Sequence, residues 1–380
     1  MLFLKYCLTF IITLRIFPCA FGQTLKDFED EFIKVIERIQ SCVVKIEVSY
    51  NDKEITRSSS GILLDKEGYA ITVANAVKNA HKIKAYLPCG KETTAKLVGI
   101  DCHTYLALVK LETPSPDYIE VSASEKLRLG AFLIVIGNPY GLKNSVSTGI
   151  VSGLNRSVWI PGCSRPITGL IQTTAPINPG DDGGLVVDSK GRFAGMAFSS
   201  MNRKIVTQEN SEFIYQILFF LKEIKKDPSN RAKIQHNIDK IFQLLPQASQ
   251  ESTYNIIKAQ DIFVSQGINF VLPAEIIYWV AKQLKEQGKI NRGWFGIKVK
   301  DISGRQGVVI TEISPQSPAA DTDLKIGDIL LSLNNIPVSD SLSLLHQISF
   351  LLAGEEIQLV YQRNQEQFHL KLNLGSWSGN

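Results

Sequence analysis

Apolar positions change their spacing along the chain. Leu25, Phe28, Phe32, Val35, Ile36 and Ile39 recur at helical intervals and predict an amphipathic helix near the N-terminus. From about residue 42 to 200 the apolar runs shorten, as in "CVVKIEVSY", "SGILLD", "YAITVA", "FLIVIGNP" and "GLIQTTA". Gly, Asn, Asp and Pro separate them. Many short strands with frequent turns predict a β-barrel or sandwich.

Residues 203–264 return to a helical pattern. "SEFIYQILFFLKEIKK" places Phe213, Ile217, Phe220, Leu221 and Ile224 on or near one face. After Pro228, Ile234, Ile238, Ile241, Phe242 and Leu245 repeat the theme, so an αα-hairpin is expected. "GINFVLP" then reads as a strand. "PAEIIYWVAKQLKEQGK" reads as a helix, with Pro273 at its start and Gly288 at its stop. Beyond residue 291 the strands "WFGIKV", "GVVITEI", "DILLSLNN", "IQLVYQR" and "FHLKLNL" and one helix near 341–351 predict a separate small α+β unit.

Composition adds little against this picture. The chain has 380 residues, 44% hydrophobic and 21% charged, which suits two or three globular domains. The formal net charge of +4 is spread thinly, with no basic block, so a nucleic-acid partner is excluded. Residues 1–22 read as a secretory leader: Lys5, the apolar run Tyr6–Leu14, then the small-x-small site Ala20-Phe21-Gly22. Arg15 interrupts that apolar run, which argues against a spanning helix. The protein is expected to be exported, periplasmic or extracellular, with no integral membrane segment once the leader is removed. Cys42, Cys89, Cys102 and Cys163 remain after cleavage. They allow three full pairings or none, the competing reading being buried small hydrophobes. None has CxxC spacing, and no metal or cofactor is implied.

Several segments then share one resemblance. "SSSGILLDKEGYAITVANAV", "AKLVGIDCHTYLALVKLE", "FLIVIGNPYGLKNSVSTGIVSGLNR", "IQTTAPINPGDDGGLVV", "RGWFGI" and "SPAADTDLKIGDILLSLNNIPV" resemble, in order, the segments of the HtrA/Deg family. The resemblance implies a mainly β fold: a trypsin-like double β-barrel with a helical insertion, followed by an α+β PDZ domain. Its expected divisions are a leader over 1–22, a protease-like domain over 23–290 with the insertion at about 203–264, and a PDZ domain over 291–377.

The resemblance fails where the chemistry belongs. The positions of the family's histidine, aspartate and serine hold Asn75, Tyr105 and Asp182. A serine protease needs a hydroxyl nucleophile, a base and an acid that orients the base. Asn75 cannot accept and return a proton near neutral pH. Tyr105 is a neutral phenol at pH 7. Asp182 attacking an amide would form an anhydride less stable than the amide, and carboxylate nucleophiles suit acetals and phosphates instead. The catalytic set is therefore expected to be degenerate. Gly180, Asp181 and Asp182 are the expected remnant of the oxyanion loop, whose amides could still point inward. The Asp182 carboxylate is expected to fill that hole from within; the competing reading is an exposed turn aspartate.

Rescue readings are weaker. His81 mimics an Asn-Ala-His motif but falls outside the register and reads as a surface residue. His103 reads as a bland loop residue. A metal on Asp181, Asp182 and His103 lacks the six or more oxygens that Ca²⁺ wants.

The PDZ segment looks more complete. By resemblance, the loop Trp294-Phe295-Gly296-Ile297 holds a peptide carboxylate and the following strand pairs with the peptide. The competing reading is that these apolar residues are core. Protein or peptide C-termini are the expected partners. The early residues, with Phe28 and Phe32 as contacts, resemble the part of the family that builds a homotrimer, alone or with an active HtrA relative. The expected function is that of a proteolytically inactive scaffold, chaperone-like or regulatory subunit in envelope protein quality control. The alternatives are an endopeptidase or other hydrolase rearranged around Asp182, and a purely structural subunit.

Overall fold

The computed structural model describes residues 25–50, 57–120, 127–160, 165–198, 256–258 and 268–376. The expected leader, Cys163 and nearly all of the expected helical insertion lie outside the described residues. Of that insertion, Ile256–Lys258 form a short strand and not a helix.

Helix α1, Leu25–Ile39, stands where the periodicity predicts it. Asp27 in its first turn and Arg38 in its last suit the helix dipole. Val35 and Ile39 are buried, and Arg38 Nη2 donates to the Lys190 carbonyl at 2.8 Å. The opposite end of the helix keeps apolar surface outward: Phe28 is 41% exposed.

Six strands then close a first barrel: β1 (Val43–Ser49), β2 (Arg57–Leu63), β3 (Tyr69–Val73), β4 (Lys82–Tyr86), β5 (Glu92–Asp101) and β6 (Leu106–Leu111). They run in the order β1-β2-β3-β6-β5-β4. Val44, Ile46, Leu63 and Val109 share one face of its strands and are fully buried. A short helix α2, Ala74–Val77, leaves the end of β3.

The second barrel is built from β7 (Phe132–Gly137), β8 (Ser145–Trp159), β9 (Ile167–Thr173), β10 (Leu185–Asp188), β11 (Phe193–Ala197) and a late strand, Asn269–Pro273. The order is β8-β7-β10-β11, then the late strand, then β9, which returns to β8 and closes the ring. The strand Ile256–Lys258 is β12 and pairs parallel with β8, which makes the late strand β13. Helix α3, Ala274–Gln287, follows with Pro273 as N-cap and Gly288 as a left-handed C-cap, φ +69°. Ile277, Val280 and Leu284 bury its inner face. The double barrel expected from the sequence is the one observed.

The C-terminal unit has its own core, including Phe295, Val308, Ile310, Leu330, Leu344, Ile357 and Leu359. Its main sheet runs β15 (Ile297–Asp301), β16 (Val308–Ile313), β17 (Ile329–Leu333), β19 (Glu356–Arg363), β20 (Glu366–Asn373). Strand β18, Ile336–Pro337, pairs with β17, while β14, Gly293–Trp294, pairs with β21, Gly375–Ser376. Helix α4, Ser341–Ile348, is capped by Asp340, whose Oδ1 accepts from Ser343 N at 2.7 Å. Among the described residues no helix is long and apolar enough to cross a membrane.

Candidate active site and peptide groove

Positions 75 and 105 lie at strand ends of the first barrel, and position 182 lies in a loop of the second barrel that is bonded to the first. Thr72, next to β3's end, donates through Oγ1 to the Ser60 carbonyl at 2.7 Å. The Ser60 amide in turn donates to the Asp182 carbonyl at 2.9 Å. On the other side, the Ala74 amide donates to the Tyr105 carbonyl at 2.8 Å, and Arg57 Nη1 donates to the Asn75 carbonyl at 2.7 Å. Each of residues 75, 105 and 182 thus has its carbonyl engaged, Asn75 by the Arg57 side chain and Tyr105 and Asp182 by backbone amides. Tyr105 takes a left-handed backbone, φ +62°, and its half-buried ring packs edge-on against Phe198 at 6.4 Å.

The loop that carries Asp182 is held as a fixed turn. Gly180 has φ +101°, and a Cβ there would lie 2.6 Å from the Asn138 carbonyl oxygen. Gly183 has φ +82°, and a Cβ would lie 2.1 Å from the Ser60 carbonyl oxygen. Neither site tolerates a side chain. Ser60 Oγ donates to the Gly180 carbonyl at 2.7 Å and accepts from Asn138 N at 2.8 Å.

Two expectations for this loop need correction. The Asp181 amide does not point into an open hole. It donates to the Asn178 carbonyl at 2.9 Å, while Asp181 Oδ2 accepts from Asn178 N at 2.8 Å. The turn consumes its own donor. Nor is either aspartate an exposed turn residue: both are 5% exposed. Burial pushes the Asp181 carboxyl up to about 6, against the opposing effect of the Asn178 amide.

His103 is also not a bland loop residue. It is half-buried in the turn after β5, beside Arg165 and Arg292. Burial, then the two guanidiniums, lower its pKa to about 4. His81 is exposed just ahead of β4, as its register suggests. Cys42 is buried, and burial pushes its thiol up to about 11; Cys89 and Cys102 are exposed.

In the C-terminal unit, β15 pairs only with β16 in the main sheet and forms its edge. Helix α4 lies alongside, and Asp301 Oδ1 at the strand's end accepts from Ser341 N at the helix start, 2.6 Å. The two walls of a groove are therefore pinned at one end. At the other end stands the segment Trp294–Ile297. The Phe295 and Gly296 carbonyls are used, by Ala319 N at 2.9 Å and Ser314 N at 2.8 Å. No backbone acceptor among the described residues takes the Phe295 or Gly296 amide. Phe295 is buried in the core, whereas Trp294 and Ile297 are half-buried. Gly296 has φ +83°, and a Cβ would stand 2.1 Å from Ser317 Cβ. This packing is a second reason for glycine, beyond the room a carboxylate would need.

With this geometry in place, comparison with known proteins is informative. The trypsin-like peptidase domain family matches residues 59–196, and the PDZ domain family matches residues 293–374. The peptidase-domain match precedes the PDZ match along the chain. A probable periplasmic serine endoprotease DegP-like protein of Halomonas elongata is 26% identical over 332 residues. That alignment covers 84% of this chain and 56% of the relative, so the chain spans little more than half the length of such DegP-like proteins. The serine endoprotease DegS of Haemophilus influenzae is 29% identical over 291 residues, 76% of this chain and 68% of DegS. Among solved structures, the HtrA-type protease AlgW with tripeptide superposes with a TM-score of 0.67 at 23% identity, covering 92% of this chain and 98% of AlgW. A serine endoprotease from Yersinia pestis gives a TM-score of 0.59 at 22% identity, covering 91% and 98%.

Sequence reasoning missed one part of this fold. Arg292 Nη2 pairs with Asp101 Oδ2 at 2.5 Å, both side chains 3% exposed, across 191 residues of sequence. The pair joins the first barrel to the start of the PDZ unit. Asp101 and Arg292 both lie inside motifs that carried the resemblance, "VGIDCHTY" and "RGWFGI", but neither motif reveals the partner of the other.

Proposed function

We propose that this chain is a proteolytically inactive HtrA-like protein that binds peptide or protein C-termini through its PDZ unit. It would act as a scaffold, a chaperone-like holder or a regulatory subunit in envelope protein quality control. The similarity to a probable periplasmic serine endoprotease and to the serine endoprotease DegS supports the compartment and the envelope role. The observation that carries the inactive reading is the replacement of all three triad positions, Asn75, Tyr105 and Asp182, around a turn whose glycines and anchors are kept. No hydroxyl nucleophile stands at 182, no proton-accepting ring at 75 and no carboxylate at 105.

The groove between β15 and α4 supports the binding role. Its edge strand can accept one more strand, and two amides at its closed end lack backbone acceptors among the described residues. AlgW structures with a tripeptide and a decapeptide support peptide binding as a property of such folds. Phe28 and Phe132, 41% and 51% exposed with ring centroids 5.9 Å apart, support assembly into a trimer through the N-terminal helix, alone or with an active relative.

The test is hydrolysis of unfolded casein by the mature chain beside the triple revertant Asn75→His, Tyr105→Asp, Asp182→Ser. The natural chain is expected to give no turnover and the revertant some. Turnover by the natural chain that vanishes in Asp182→Ala would replace this reading with a hydrolase built on Asp182. No saturable binding of peptides with a free apolar C-terminus would leave a purely structural subunit.

A further inference from the structure

The PDZ unit meets the second barrel through a histidine. His346, on helix α4, lays its half-buried ring on the backbone of β9: a Cβ at Gly169 would stand 2.4 Å from His346 Cε1. Thr168 Oγ1 lies 3.2 Å from His346 Nδ1. On its other side the ring packs edge-on against Phe350 at 5.1 Å, and Phe350 packs edge-on against Trp279 of α3 at 5.7 Å. Helix α4 is one wall of the peptide groove, so this contact fixes the groove relative to the barrels.

A second histidine faces the same space from the first barrel. His103, Thr104, Thr168, Trp279, Arg292 and His346 line one cavity of about 20 Å³. That volume admits a single water molecule, so a charged ring there could not be hydrated. Arg292 already places a guanidinium in the wall. Asp101 balances it at 2.5 Å, and its other Nη donates to the Ser349 carbonyl. The charges of the junction are therefore matched while both rings are neutral, and a proton on either ring adds an unmatched cation.

The other charged groups around the rings do not change this sign. Thr168 and Gly169 of β9 bring no charge, and helix α4, SLSLLHQI, carries no ionisable residue besides His346. From α3, the exposed Glu275 favours a charged His346, but burial outweighs it and lowers that ring's pKa. Around His103, Asp101 favours the charged ring, while burial, then Arg165 and Arg292, oppose it and hold the pKa at about 4.

We propose that His103 and His346 form an acid-released latch, in which protonation of the two rings separates the PDZ unit from the barrels while each unit stays folded. Arg292 and Asp101 sit at the chain connection and form the hinge of this opening. A released ring regains the ordinary value of 6.5, so the released state binds more protons than the docked one. Docking is fully stable above about pH 6.5 and weakens as pH falls toward about 4. At pH 5, a shift from 6.5 to about 4 at His103 alone moves the docked-to-released ratio about thirtyfold toward release.

The experiment uses the mature full chain. Small-angle X-ray scattering is recorded from pH 7.5 to 4.5, with light scattering in line to give the mass to which each radius belongs. At constant mass and unchanged far-UV circular dichroism, the radius of gyration is expected to rise with a midpoint between pH 6.5 and 4. The double variant His103→Gln, His346→Gln keeps hydrogen-bonding side chains without the titration and is expected to stay compact throughout. A radius that is constant over the range, or one that rises equally in the double variant, overturns the latch. Should the double variant be expanded already at pH 7.5, Thr168→Val decides. It keeps both histidines and removes the hydroxyl beside the neutral His346 ring, so its transition is expected at higher pH than that of the natural chain. An unmoved transition overturns the proposal.

Discussion

The Ser60 amide donates to the Asp182 carbonyl at 2.9 Å, and the Ser60 hydroxyl donates to the Gly180 carbonyl at 2.7 Å. The turn around position 182 is thus held by a strand of the opposite barrel through the amide and hydroxyl of Ser60. None of those bonds depends on which side chain residue 182 carries. The backbone of this turn is therefore set independently of the side chain at its centre.

Ser60→Ala tests how much this anchor contributes. Ser60 is fully buried, and its hydroxyl also accepts from the Asn138 amide at 2.8 Å. Its loss leaves one donor and one acceptor without partners in a dry site, at about 1–3 kcal/mol for each unsatisfied group. Urea unfolding is expected to show a loss of about 2–4 kcal/mol. A change under about 0.5 kcal/mol, the size of an ordinary surface substitution, would mean that Gly180 and Asn138 find other partners.

Asp181 predicts a pH dependence. Its carboxyl is raised from 3.8 in the unfolded chain to about 6 by burial. The folded state therefore holds this proton more tightly than the unfolded one. The stability it contributes is fully present below about 3.8 and is lost as pH rises through about 6. Asp181→Asn removes the charge while keeping an oxygen for the Asn178 amide. The variant is expected to be more stable than the natural chain above pH 6, by about 2–3 kcal/mol, and equal to it near pH 4. A constant difference across pH 4–8 would show that Asp181 does not titrate in this range.

Gly296 makes a steric prediction for the groove. Gly296→Ala must place a Cβ in a left-handed conformation 2.1 Å from Ser317 Cβ. Affinity for a peptide with a free apolar C-terminus, measured by fluorescence anisotropy, is expected to fall at least about tenfold, equivalent to about 1.4 kcal/mol. Adding Ser317→Gly removes the obstructing carbon and is expected to recover part of the affinity. No recovery would place the defect in the backbone angle alone.

Much of this architecture was legible in the chain. The alternation of Val44, Ile46 and Val48 announced β1, and Pro273 with Gly288 bounded helix α3 to the residue. Motif order gave the two units. What escaped was everything fixed by contacts distant in sequence. Asp101 and Arg292 share no local pattern, so their pairing across the junction could not be read. The burial of Asp181 depends on its packing against Gly137, where an added Cβ would meet Asp181 Oδ1 at 2.4 Å. His103 looked bland because its setting is made by Arg165 and Arg292, which arrive from other elements. Likewise, Gly296 was legible as a glycine, but its collision partner Ser317 was not.

The aromatic cluster on helix α1 gives the remaining prediction. Phe28 lies 6.1 Å from Phe32 and 5.9 Å from Phe132, ring to ring, yet stays 41% exposed, and Phe132 stays 51% exposed. Two large rings presented together to water form a patch that a second copy would cover. A charge placed at its centre would have to be desolvated on assembly, which burial of a lone carboxylate strongly opposes. Phe28→Glu is therefore expected to convert a trimer of the natural chain to monomer in light scattering coupled to gel filtration. Its unfolding free energy, extrapolated to low protein concentration, is expected to stay within about 0.5 kcal/mol of the natural monomer, because residue 28 is outside the core. A natural chain that is monomeric at every concentration tested would remove the trimer from the proposal. It would also leave the exposed rings of Phe28 and Phe132 as a surface for some other protein.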